Sequence, residues 1–223
     1  MFKKLRSLFE PDDAQRAAEF WRWFAANQHV YRDLPKQAPE ELEHSTRILT
    51  EHLHRYKDGL FALFGFAQAE TDDRYEFVVT AEGDASRFDA VAYLVEAAPE
   101  IEGWSIIALK PPIADFVNVR IEDTDYALEE LTFALAHVPN EPDATLVHVL
   151  FPSPDQEQQA DPSSTEQLQI VATLFIEALL GERSFAEDIN YVTASYETSD
   201  VPLNARRPLA RLPLVVEQRV RRN

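Results

Sequence analysis

The sequence predicts an α+β fold: two helices at the N-terminus, then a largely antiparallel sheet of six or seven strands with further helices packed on it. Three observations carry this. Apolar residues recur with helical spacing through residues 11 to 58, the spacing changes to two from Leu60, and a long apolar helix pattern returns only at Leu168.

The first helix contains Phe20-Trp21-Arg22-Trp23-Phe24, the densest aromatic stretch of the chain, with Asn27 and Tyr31 following. At about 100° per residue, Phe20, Trp23, Phe24, Asn27, Val30 and Tyr31 fall within an arc of roughly 120°, an ordinary core-facing stripe. Trp21 points away from it, beside Gln28 and an alanine-rich side, so the helix is expected to touch two neighbours. Asn27 is polar inside the stripe and needs a hydrogen-bond partner there, or a ligand. Pro11-Asp12-Asp13 marks the helix start and Arg32 its end.

A second helix is expected from Pro39 to Asp58, with Glu40 and Glu41 in its first turn and Leu42, Ser45, Leu49, Leu53 and Tyr56 as its apolar stripe. His44, His52 and His54 cluster along the sequence but scatter around the helix, so no shared metal site is expected. From Leu60, LFALFGFA and RYEFVVTA flank a polar turn, Gln68 to Asp73, and read as a hairpin in which Ala67 pairs with Arg74. A helix over Ser86 to Ala97 and strands at WSIIAL and Phe116 to Ile121 come next. The acidic run Glu122-Asp123-Thr124-Asp125 fails the EF-hand pattern, because Ala127 and Leu128 stand where a ligand and glycine are required.

Leu131 to Val138 and Ala144 to Phe151 form a second expected hairpin, with Val138 opposite Ala144. Pro152 to Ser163 is a polar connector. Ser164-x-x-Gln167 is a capping box opening an apolar helix, Leu168 to Leu180, which Gly181-Glu182 is expected to close. A last strand is expected from Asn190 to Glu197, then a short helix in the tail.

The domain organisation expected is a basic amphipathic segment over 1–10 and a single domain over 11–223 with a basic tail from about 206. The net charge of −18 is uneven: residues 1–9 carry +3, the tail from Arg206 carries +5, and the body between them carries −26. Such a body repels nucleic-acid backbone and favours a basic protein partner. In residues 1–9, Phe2, Leu5, Leu8 and Phe9 share one side opposite Lys3, Lys4 and Arg6, a pattern suited to weak membrane contact.

No cysteine is present, which excludes disulfides, thiolate catalysis and Cys-ligated zinc. No apolar run reaches the length of a membrane span, and no secretory h-region with a cleavage site is found, so the expected compartment is the cytoplasm. The five glycines stand singly, leaving no phosphate-cradling loop, and neither H-E-x-x-H nor G-x-S-x-G occurs. No catalytic set, metal ligand or cofactor is assigned.

Asp84, Asp188 and Glu182 are carboxylates at element ends, where sites often lie, with capping or a surface salt link as the competing role. The candidate binding residues are Trp21, Asn27, Asp84 and Glu182. The leading expectation is a non-catalytic acidic binding protein of immunity or regulatory type. The alternatives are a small-ligand binder or enzyme with a cleft near Asn27 and Glu182, and a peripheral membrane protein anchored by residues 1–9.

The basic Phe/Leu-containing start, F-W-x-W-F-x-x-N at Phe20 to Asn27, the hairpin ending near Gly83, Ala98-Pro99, Trp104 opening a strand and the late Leu180-Gly181-Glu182 together resemble an uncharacterised family of bacterial proteins of about this length. The resemblance spans roughly residues 1 to 215. It implies a bacterial single-domain protein and brings no activity or ligand with it.

Overall fold

The computed structural model describes residues 11–66, 74–153, 162–197 and 200–220. The amphipathic segment expected at 1–9, the turn at 68–73 and most of the polar connector lie outside them. The chain divides into two compact units, residues 1–110 and 111–223, where the sequence suggests one domain over 11–223. Both units are α+β, and among the described residues no helix is long and apolar enough to cross a membrane.

In the first unit, α1 spans Pro11–Arg32, with Asp12 and Asp13 in its first turn and His29 and Arg32 in its last, charges that suit the helix dipole at both ends. A 3-10 turn, Leu34–Lys36, leads to α2, Pro39–Tyr56, whose Ser45, Leu49, Leu53 and Tyr56 are buried. Strands β1 (Phe61–Phe66) and β2 (Tyr75–Thr80) pair antiparallel, Phe64 opposite Phe77, in the register that pairing Ala67 with Arg74 requires. Helix α3 (Phe88–Glu96) then returns the chain to β3 (Trp104–Ala108), which lies parallel to β2.

The core of this unit is aromatic. Phe20, Trp21, Phe24 and Phe77 are almost fully buried, and the Phe24 and Phe77 rings lie 4.6 Å apart between centroids. Buried tyrosines bind the helices together: Tyr31 Oη donates to the Ser45 carbonyl at 3.3 Å and Tyr56 Oη to the Ala90 carbonyl at 3.0 Å. Both hydroxyls find acceptors, as burial demands.

The second unit opens with a two-stranded hairpin, β4 (Asn118–Ile121) and β5 (Thr124–Ala127). The acidic run is its turn. Arg120 clamps Asp125 across the strands, Nε to Oδ1 at 2.7 Å and Nη2 to Oδ2 at 2.5 Å. Next come β6 (Thr132–Val138) and β7 (Glu141–Phe151), antiparallel with Thr132 opposite Leu150 and Ala136 opposite Leu146, the expected register, until it shifts between Ala136 and Val138.

Helix α4 (Pro162–Asp188) crosses to β8 (Tyr191–Tyr196), which runs parallel to β7. A two-residue strand, β9 (Arg207–Pro208), adds to β6, and α5 (Leu212–Val220) comes last. Phe133, Val147, Val149 and Phe151 from one sheet face form the core with Leu168, Val171, Phe175 and Ile176 of α4 and with Leu209, Leu212 and Val216. Residues 206–220 are therefore built into this unit. Arg206 is nearly buried, pairing with Glu197 at 3.2 Å.

One expectation needs correction. The strands do not form one sheet of six or seven. They form three small sheets, ordered β1-β2-β3, β4-β5 and β8-β7-β6-β9. Each unit instead builds the same local arrangement, a hairpin whose second strand gains a parallel neighbour through a helix. Pro111-Pro112 interrupts the chain between β3 and β4. Gly181 closes the first helical segment as expected: with φ 74° and ψ 162° it is non-helical, and a second helical segment follows at once to Asp188, so α4 is two helices joined across a kink.

Candidate functional site

Of the four residues singled out from sequence, three have structural roles. Trp21 is 1% exposed, and its indole Nε1–H donates to the Leu94 carbonyl at 2.7 Å. The side of α1 that holds Trp21 is covered by α3 and by Phe77 of the sheet, 5.8 Å away. Trp23, expected in the core, is half-exposed and stacks on His52 of α2 at 3.7 Å and 9°. The two tryptophans thus exchange the environments that the wheel suggested, because the sheet and α3 sit nearer the alanine side of α1.

Asn27 donates from Nδ2 to the Trp23 carbonyl at 2.8 Å, a bond within its own helix. Asp84 caps the turn before α3, accepting from Ser86 N–H at 3.0 Å and Ser86 Oγ at 2.5 Å, with Arg87 Nε 3.0 Å away. The Ser86 hydroxyl bond holds its carboxyl below the usual range, a capping signature. Glu182 is fully buried immediately after the break at Gly181. Asn27 belongs to the first unit and Glu182 to the second. Neither lines the hollows at Asp188, at Trp23 and His52, or at Arg32.

The third element-end carboxylate, Asp188, stands in a different setting. Two hollows of the second unit share it, together with the buried Val216. One, of about 230 Å³, is polar and lined by Asp143, Thr145, Glu187, Asn190 and Arg219. The other, of about 390 Å³, is lined mainly by Pro112, Leu179, Leu180 and Pro213, with Ser184 and Glu217 at its edge. The two hollows adjoin at these shared residues, beside the last turns of α4, α5 and the start of β7, and this pair, one mainly apolar and one polar, is the groove.

Local bonds fix this frame. Asn190 Oδ1 accepts from Thr145 N–H at 2.7 Å while Asn190 N–H donates to the Thr145 carbonyl at 3.0 Å, locking the end of α4 to β7. Ser184 Oγ donates to Asp188 Oδ2 at 2.5 Å, orienting that carboxylate, and Arg183 pairs with Glu187 at 2.9 Å. Arg219 reaches across from α5 to the carbonyls of Asp143 and Ala144 at 3.4 and 3.3 Å, so its charge is spent on backbone. Four carboxylates (Asp143, Glu187, Asp188 and Glu217) therefore line the groove, with Arg219 beside them and Arg183 paired with Glu187.

A second polar cluster lies on the sheet of this unit. His148 Nδ1 is 2.8 Å from Thr193 Oγ1 and its Nε2 is 3.0 Å from Ser195 Oγ. Ser195 Oγ also donates to the Tyr196 carbonyl at 2.9 Å, an acceptor that competes with the imidazole for its proton. Among the described residues, no group of three or more His, Cys, Asp or Glu side chains is placed to hold a metal ion. No family model, curated protein or solved structure matches this chain.

Proposed function

We propose that the chain is a non-catalytic binding protein and that the groove at Asp188 receives a basic side chain of a protein partner in the cytoplasm. The observation that supports the reading is that a mainly apolar hollow and an acidic one share Asp188 and Val216 in their walls. A lysine or arginine laid along this groove would bury its methylene stem against Leu179, Leu180 and Pro213 and bring its charged head to Asp188, Glu187 and Asp143. The −26 body adds long-range attraction for a cationic partner and raises the rate of encounter.

The test is a fluorescence-anisotropy titration with lysine-rich and arginine-rich peptides at low and moderate salt. Binding is expected to weaken with salt, and Asp188→Asn with Glu187→Gln is expected to weaken it about tenfold. A peptide that binds the double variant as tightly as the parent chain sinks the reading.

A further inference from the structure

The last turn of α1 carries an arginine in an unusual position for so acidic a chain. Arg32 is half-buried, its guanidinium 5.8 Å from the Trp104 ring centroid and 5.9 Å from that of Tyr75, and its Nη2 donates to the Glu102 carbonyl. Its Nε is buried with no acceptor. Among the described residues it meets no carboxylate. Asp33, next in the chain, pairs with Lys36 at 2.8 Å. A guanidinium held over aromatic faces and left short of acceptors is a preorganised donor, since part of its entropy and desolvation cost is already met in the fold.

The neighbouring hollow, about 310 Å³, is lined by Ala25, Gln28, His29, Arg32 and Glu102. Gln28 is oriented by Trp104, whose Nε1–H donates to Gln28 Oε1 at 2.8 Å, leaving the Gln28 amide NH₂ as a second donor. The backbone at this point is fixed as well. Gly103 has φ 75°, and a Cβ there would stand 2.5 Å from Arg32 Nη2. Arg32, Gln28, Gly103 and Trp104 thus hold one another in place around the hollow.

We propose that this hollow binds a carboxylate, held by the Arg32 guanidinium and the Gln28 amide. Charge selects a monoanion. Arg32 is the one permanent cation among the lining residues, which also include His29, and the Glu102 carboxylate opposes a second negative charge, so a phosphate dianion is disfavoured. The site lies in the first unit and is independent of the groove at Asp188.

The test uses the full chain labelled with ¹⁵N and follows the Arg32 Nε–H and Trp104 Nε1–H resonances during titration with sodium acetate, acetamide, inorganic phosphate and sodium chloride. Acetate is expected to shift both peaks saturably, and neutral acetamide and chloride are expected to leave them in place. Arg32→Lys keeps the charge but loses the planar fork and is expected to weaken acetate about tenfold. Exposed Glu102→Gln, which disturbs little of the fold, is expected to tighten it about threefold.

A trialanine acid and its C-terminal amide then separate the two sources of a carboxylate. Tighter binding of the acid than of acetate assigns a peptide terminus, and equal binding assigns a small free acid. Non-saturable shifts, equal shifts with acetamide or chloride, tighter binding of phosphate, or no response to Glu102→Gln overturns the proposal.

Discussion

The indole N–H of Trp21 donates to the carbonyl of Leu94 at 2.7 Å, joining α1 to the last turn of α3 across 73 positions of sequence. The carbonyls of a final helical turn have no partner inside the helix. Two neighbours, Tyr93 and Val95, are met by the backbone N–H groups of Ala97 and Ala98. Leu94 is met by Trp21, so a side chain from another helix completes the cap.

Trp21→Phe keeps an aromatic ring in place but leaves that carbonyl buried and opens a void where the pyrrole ring was. The two losses together are expected to cost about 2–4 kcal/mol. Urea unfolding followed by far-UV circular dichroism measures this as a lower midpoint with little change in slope. A surface tryptophan would give less than about 0.5 kcal/mol on the same substitution.

Gly103→Ala brings two penalties that can be separated. Its left-handed backbone costs a residue with Cβ about 1–2 kcal/mol, and the new methyl group displaces the Arg32 guanidinium from the Glu102 carbonyl. In an Arg32→Gln background only the first penalty remains. A double-mutant cycle by urea unfolding is therefore expected to show coupling of about 1 kcal/mol, and additive effects would mean that the arginine does not brace this loop.

How much of this could be read from residues depends on the range of the signal. Both hairpin registers were legible, Phe64 against Phe77 and Leu135 against Val147, because a one-residue slip would turn each apolar set to the opposite face. The bounds of α1 were legible from Pro11 and the charges at its two ends. The parallel pairings of β3 and β8 were not, since an apolar strand after a helix fits either edge of a hairpin equally well in one dimension. The exchange of Trp21 and Trp23 depends on which side of α1 the sheet occupies, and no local pattern records that. Asp188 was visible as a carboxylate at an element end. Its companions Asn190, Thr145, Val216 and Arg219 come from separate segments and converge only through the fold.

His148 gives the second unit an acid-side dependence. Burial between β8 hydroxyls pushes its pKa below the ordinary value of 6.5, so the neutral ring is favoured in the folded chain. The unfolded chain then takes up the proton first. The contribution of His148 to stability is fully present above pH 6.5, declines as the pH falls below it, and levels off beneath the folded pKa. His148→Gln retains one donor and one acceptor without the titration. The difference in unfolding free energy between parent and variant, measured from about pH 7.5 to about pH 5, is expected to shrink steadily below the ordinary imidazole pKa. A constant difference would place the imidazole's titration at its ordinary value.

Gly181 is the position on which the groove geometry turns. Its φ of 74° with ψ of 162° is a conformation available to glycine and strained for any residue with a Cβ, at about 1–3 kcal/mol. The break sits between Leu180, which lines the apolar hollow, and the turn that carries Ser184, Glu187 and Asp188. Gly181→Ala has two ways to respond: keep the break and lose stability, or straighten α4 and swing those three side chains away from Asn190 and Arg219. The helix beyond the break is short and is tied to β7 by the paired Thr145–Asn190 bonds, while Glu182 is buried behind it. Straightening would break those paired bonds and unpack the buried turn around Glu182, which costs more than the strain. The expected outcome is therefore a urea midpoint lowered by an amount equivalent to about 1–3 kcal/mol, with the amide exchange protection of Asn190 retained. Loss of that protection with an unchanged midpoint would show that the break is a hinge rather than a fixed bend.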